Sequence, residues 1–115
     1  MEKHIVVSML WQIYGKLLTK KQYDVLNDYY NEDLSLAEIA ENNNISRQGV
    51  RDIIKKGETK LFDYEKKLQI MKKTQENDET LQQVFTQIGK IKANTSDEKI
   101  SEILKEVEKE LHCIA

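Results

Sequence analysis

The chain has 115 residues, with 18 Lys and Arg against 20 Asp and Glu, four glycines, no proline, one cysteine and 39% hydrophobic residues. That length holds one compact domain, or one domain with a helical extension, and apolar runs such as Ile5-Val6-Val7 fall far short of the roughly 20 residues a bilayer span needs. Lone Cys113 excludes an internal disulfide and a multi-cysteine metal site, and Met1-Glu2-Lys3-His4 does not read as the start of a signal peptide, so the expected compartment is a reducing cytoplasm.

Without proline and with few glycines, long helices are the inexpensive backbone, and the pattern predicts an all-α fold. Val6, Met9, Leu10, Ile13 and Leu17 recur at spacings of three and four, one face of a first helix. Thr19 and Gln22 form a capping box, each side chain able to satisfy the other's orphan amide. The helix it opens turns Val25, Leu26, Tyr29 and Tyr30 inward and stops in Asn31-Glu32-Asp33. Ser35 with Glu38 repeats the box before a short helix through Leu36, Ile39 and Ala40, which ends in Asn42-Asn43-Asn44. Ser46 caps the next helix. Val50, Ile54, Gly57, Leu61, Tyr64, Leu68 and Met71 give that helix a heptad seam running to about Met71, long enough to project beyond the N-terminal domain and to require a partner. Polar Thr74-Gln75-Glu76-Asn77-Asp78 predicts a break. A fifth helix follows with Leu81, Val84, Phe85, Ile88 and Ile91 inward. A third box, Thr95 with Glu98, opens a last helix bearing Ile100, Leu104, Val107, Leu111 and Ile114. The expected organisation is a helix-turn-helix domain with its long helix over 1–75, and a C-terminal helical hairpin over 76–115 that serves dimerisation.

Residues 35–54 meet the steric demands of a helix-turn-helix. Ala40 is small where the two helices cross, and Asn44 suits the left-handed turn position. Ile45 plugs the gap, while Val50 and Ile53 anchor the second helix. Its outward face carries Ser46, Arg47, Gln48 and Arg51, then Lys55 and Lys56. Arg reads guanine, Gln reads adenine, and a helix N-terminus favours phosphate. From Arg47 to Lys60 there are five basic and two acidic side chains. The overall charge of −2 is unlike the basic excess of general DNA binders. It is unevenly spread: residues 1–75 hold 13 basic and 11 acidic groups, and residues 76–115 hold 5 and 9.

Each of these features also has a plainer reading. The basic face could be an ordinary solvated surface. Trp11, Tyr14, Tyr29 and Tyr30 could stack on bases, but aromatics at helical spacing are far more often core. His112 beside Cys113 is a poor metal-ligand set, and His4 reads as a solvated terminal residue. No nucleophile-base arrangement or phosphate-cradling glycine loop is present, so neither catalysis nor a cofactor is expected.

Thr19-Lys20-Lys21-Gln22-Tyr23, Leu26, Tyr29-Tyr30, Asp33-Leu34-Ser35-Leu36-Ala37-Glu38-Ile39-Ala40 and Ile45-Ser46-Arg47-Gln48-Gly49-Val50 together resemble sigma-factor region four. The continuation through Asp52-Ile53-Ile54-Lys55, Lys60-Leu61, Tyr64-Glu65 and Leu68 is similar to the YlxM family, over nearly the whole chain. The resemblance implies a bacterial cytoplasmic helix-turn-helix protein with a dimer-forming tail, linked to the signal recognition particle pathway. It also implies that Ser46, Arg47, Gln48, Arg51 and Lys55 would meet nucleic acid. DNA and RNA stand open as ligands, as does docking to the particle protein or its RNA.

Overall fold

The computed structural model describes residues 1–114. The chain forms α1 (Lys3–Tyr14), a single 3-10 turn (Gly15–Leu17), α2 (Lys20–Tyr30), α3 (Leu36–Asn43), α4 (Arg47–Leu68), α5 (Ile70–Ala93) and α6 (Glu98–Ile114). Among the described residues there is no strand, and no helix is long and apolar enough to cross a membrane. The fold is all-α, and it divides into two compact units, Met1–Met71 and Lys72–Ala115.

The N-terminal unit closes α1, α2 and α3 around α4. Val7, Leu10 and Tyr14 are the buried residues of α1, whereas Ile13 and Leu17 are exposed and Val6 and Met9 half-buried. The inward face is therefore rotated from the one the spacing predicts. A stripe through Val7, Leu10 and Tyr14 puts a large ring in the core, and the tighter turn after Tyr14 changes phase so that Leu18 is buried and Leu17 is not. Gly15 leaves room for this packing: a Cβ there would sit 3.0 Å from the ring of Tyr23, which stacks on Trp11 at 4.6 Å. The Trp11 indole N–H donates to the Tyr23 carbonyl at 3.0 Å.

Both expected capping boxes of this unit form. Thr19 Oγ1 accepts from the Gln22 amide and Ser35 Oγ from the Glu38 amide, each answered by the reciprocal bond. Between α2 and α3 the chain reverses through Asp33 at φ 55°, with the Leu34 amide donating to the Asp28 carbonyl at 2.9 Å.

α4 departs from expectation in two ways. Its seam is not left open, because Val50, Ile54, Gly57 and Leu61 are buried against α1, α2 and α3 of the same unit. Three helices enclose the stripe that sequence spacing alone would give to an outside partner. The helix also ends at Leu68, where Gln69 takes the left-handed conformation (φ 55°, ψ 33°), so the seam does not continue to Met71 on one helix. The first amides of a helix have no partner within it, and here Tyr14 and Glu65 supply them. The Tyr14 hydroxyl donates to Glu65 Oε1 at 2.7 Å and accepts from the Ile70 amide at 3.1 Å, while the Met71 amide donates to Glu65 Oε1 at 3.0 Å.

With the chain restarted at Ile70, no break occurs at 74–78. α5 runs unbroken through that polar stretch to Ala93, since Gln75 and Glu76 are good helix formers and residues 74–78 include neither proline nor glycine. In the C-terminal unit Ile88 is buried and Leu81, Val84, Phe85, Leu104 and Leu111 are half-buried, while Ile91, Ile100, Ile103, Val107 and Ile114 are exposed. Lys92 pairs with Glu108 at 3.0 Å. The last helix is capped by Asp97 rather than by a Thr95–Glu98 box. Asp97 Oδ1 accepts from the Lys99 amide at 2.9 Å, and Thr95 Oγ1 accepts from the Asp97 amide. Asp is at least as good a cap as Thr and stands immediately before the helix.

Candidate nucleic-acid interface

α3 and α4 are joined by three residues whose geometry follows from their side chains. Asn44 adopts φ 54°, ψ 41°, a conformation in which asparagine is among the tolerated non-glycine residues. Its amide returns to the end of α3, and the Ile45 amide donates to the Ala40 carbonyl at 3.1 Å. Ala40 is buried at the crossing and Ile45 is half-buried. Ser46 Oγ then accepts from the Gly49 amide at 2.9 Å, fixing the start of α4. Val50 is fully buried and Ile53 half-buried, so the helix is locked by one flank and open on the other.

On that open side Ser46, Arg47, Gln48, Arg51, Lys55 and Lys56 are all exposed. The six residues singled out from sequence therefore share one accessible stretch of α4, although the Ser46 hydroxyl is engaged in its cap. The charges are arranged asymmetrically. Among the described residues Arg47, Arg51, Lys55 and Lys56 have no ion-pair partner, whereas both acids of this stretch are occupied. Asp52 accepts from Gln48 Nε2 at 3.0 Å. Glu58, its side chain only 14% exposed, accepts from the Tyr30 hydroxyl and pairs with Lys3 Nζ at 3.2 Å. Burial, and then the bond to Glu58, push the Tyr30 phenol far above its ordinary range.

The start of α2 adds cations that reasoning centred on α4 does not reach. Lys21 Nζ donates to Asn43 Oδ1 at 3.0 Å, beside the turn, and Lys60 Nζ reaches Gln22 Oε1 at 3.4 Å. Lys20 and Lys21 are exposed there. The signal was the capping box placed directly before two lysines, since a cap shows which end of a helix its neighbours occupy. The aromatic residues are structural: Tyr14 and Tyr30 are core, Trp11 and Tyr29 pack against it, and His4 lies 5.1 Å from the Tyr30 ring. His112 stacks on Phe85 at 4.5 Å, and among the described residues no cluster of three or more His, Cys, Asp or Glu side chains could hold a metal.

A capped helix, a left-handed asparagine and a second capped helix seated on the first define a helix-turn-helix protein. Comparison with known proteins bears this out. Residues 1–107 match the family model UPF0122, described as "Putative helix-turn-helix protein, YlxM / p13 like". The chain is 38% identical over 112 residues to the UPF0122 protein of Clostridium acetobutylicum, covering 97% of each chain. It is 42% identical over 110 residues to that of Clostridium perfringens strain 13, covering 90% of this chain and 98% of the relative. For Clostridium kluyveri the identity is 44% over 103 residues, covering 90% and 93%. The chain belongs to the UPF0122 family, as the resemblance to YlxM implied, and that family is defined by a helix-turn-helix and not by an enzymatic activity.

Proposed function

We propose that this protein is a cytoplasmic, non-enzymatic regulator that binds duplex DNA through the N-terminal half of α4. The observation that carries the reading is the division of charge on that helix. The two acids between Arg47 and Lys60, Asp52 and Glu58, are bound within the protein, to Gln48, Tyr30 and Lys3, while four cations of the same stretch have no ion-pair partner among the described residues. Unpaired cations at the open side of a capped helix suit a phosphate backbone, whose neutralisation releases condensed counterions and drives association. An α-helix fits the major groove of B-DNA, whereas the A-form RNA groove is too narrow for side chains to read, which favours DNA over RNA.

The active form in this reading is a homodimer held by the C-terminal unit, whose exposed Ile100, Ile103, Val107 and Ile114 would be covered by a second copy. Two motifs would then meet half-sites about 34 Å apart. Electrophoretic retardation of duplex DNA tests the reading. Arg47→Ala with Arg51→Ala should weaken binding at least tenfold and flatten its salt dependence by about two phosphates' worth of slope. Unchanged affinity would remove the motif from the interface. Sedimentation at micromolar concentration should give twice the mass of 13.5 kDa.

The acidic balance of residues 76–115, 9 against 5, supports a second reading: an accessory that docks on the signal recognition particle protein or its RNA. Native co-purification of either, with no retardation of any duplex, would select it.

A further inference from the structure

We infer that Asp52 is a specificity-determining residue that takes the exocyclic amino group of a cytosine in the major groove and penalises guanine and thymine at that position. This rests on the DNA-binding reading above and deepens it. At 3.6 residues per turn, Gln48 and Asp52 lie roughly 150–170° around α4 from the stripe of Val50, Ile54, Gly57 and Leu61. They form the crest of the helix, the part that would enter a groove deepest, and both are exposed.

The cations do not share that crest. Arg47, Arg51 and Lys55 fall to one side of it. Lys56 and Lys60 fall to the other, where Lys60 Nζ reaches Gln22 Oε1 near the start of α2. A helix with its side chains is about as wide as the major groove, roughly 10–12 Å. Two basic flanks would therefore lie toward the two sugar-phosphate walls, with the Gln48–Asp52 pair over the base edges.

At that place a carboxylate is a discriminating group. It only accepts, so it matches the N4 amino of cytosine, meets the N6 amino of adenine only beside the repelling N7 acceptor, and is repelled outright by the carbonyl acceptors of guanine and thymine. It also repels phosphate, so misplaced complexes gain less from the flanking cations. The 3.0 Å bond from Gln48 Nε2 occupies Oδ1 and holds the group upright, with Oδ2 left to accept. An acid in the middle of a basic helix, which looks like a defect in a general polyanion binder, is what a selective one requires.

The test compares the full-length protein with Asp52→Asn in selections from a randomised duplex-DNA library, followed by titrations on the best and on scrambled duplexes. The substitution is at the surface and keeps the side-chain shape and an acceptor for Gln48, so a matching melting curve is expected. The expected result is a changed base preference at one position per half-site and about a tenfold fall in the ratio of selected to scrambled affinity, as one lost base contact gives. If Asp52→Asn tightens binding to all duplexes by the same factor and the preferred sequence is unchanged, Asp52 is a bystander and the inference fails while DNA binding stands. If the wild-type protein retains no duplex at all, the DNA-binding reading fails, and this inference with it.

Discussion

The N-terminal unit encloses twelve buried residues in a single cluster from Val7 to Leu61, whereas Ile88 alone is buried among the described residues of the C-terminal unit. Both units are built of amphipathic helices, but the N-terminal one is richer in hydrophobic and aromatic residues and also covers more faces of each helix. α4 is walled by α1, α2 and α3, and its stripe disappears from solvent. In the hairpin each helix has one partner, and a flank of each stays wet. The turn that would present Arg47 and Arg51 is thus mounted on the enclosed core of the N-terminal unit.

The largest expected break in this contrast is Leu61→Ala. Removing a fully buried leucine side chain should cost about 2–5 kcal/mol in urea denaturation, while Leu104→Ala in the half-buried hairpin should cost less than half as much. Equal losses would mean the hairpin is as enclosed as the core. The glycines sharpen the comparison further. A Cβ on Gly57 would lie 2.7 Å from Leu26 Cδ1, and Leu26 is itself buried, so Gly57→Ala should destabilise by about 1–3 kcal/mol through overpacking. Gly89 has nothing within 4 Å of that position, so Gly89→Ala should stabilise by about 0.5–1 kcal/mol through helix propensity alone.

A gentler effect follows from pH. All five tyrosines lie in the N-terminal unit, and Tyr14 and Tyr30 have phenols raised above their ordinary value, in both cases first by burial and then by bonds to Glu65 and Glu58. The unfolded chain releases these protons at lower pH than the folded one. The associated stability is complete below about pH 10 and declines as pH rises beyond it. Denaturation midpoints should fall above that pH, and less so in Tyr14→Phe with Tyr30→Phe.

Much of this fold could be read from local chemistry. Thr19, Ser35, Ser46 and Asn44 act on neighbours within four residues, and each does what its side chain and spacing dictate. The exposed set on α4 followed from them, because a cap and a turn orient a helix. The errors about α4 concern distant partners. Nothing near Leu68 announces that the Tyr14 hydroxyl will seat the Ile70 amide, so the end of α4 was invisible in the heptad. The same blindness applied to the seam, because a stripe of Val50, Ile54, Gly57 and Leu61 records that something covers it but not which helices do. Lys60 and Lys21 joined the motif's surroundings through bonds to Gln22 and Asn43, spanning 38 and 22 residues.

The contact between Tyr14 and Ile70 bridges 56 residues and ties the end of α1 to the start of α5. During synthesis, then, α1 has no finished surface to lie on until α4 has left the ribosome. α3 and the first turns of α4 are made earlier and have no settled frame beneath them until Ile70 can meet Tyr14. A nascent chain halted before that point would hold Arg47 and Arg51 without a fixed orientation.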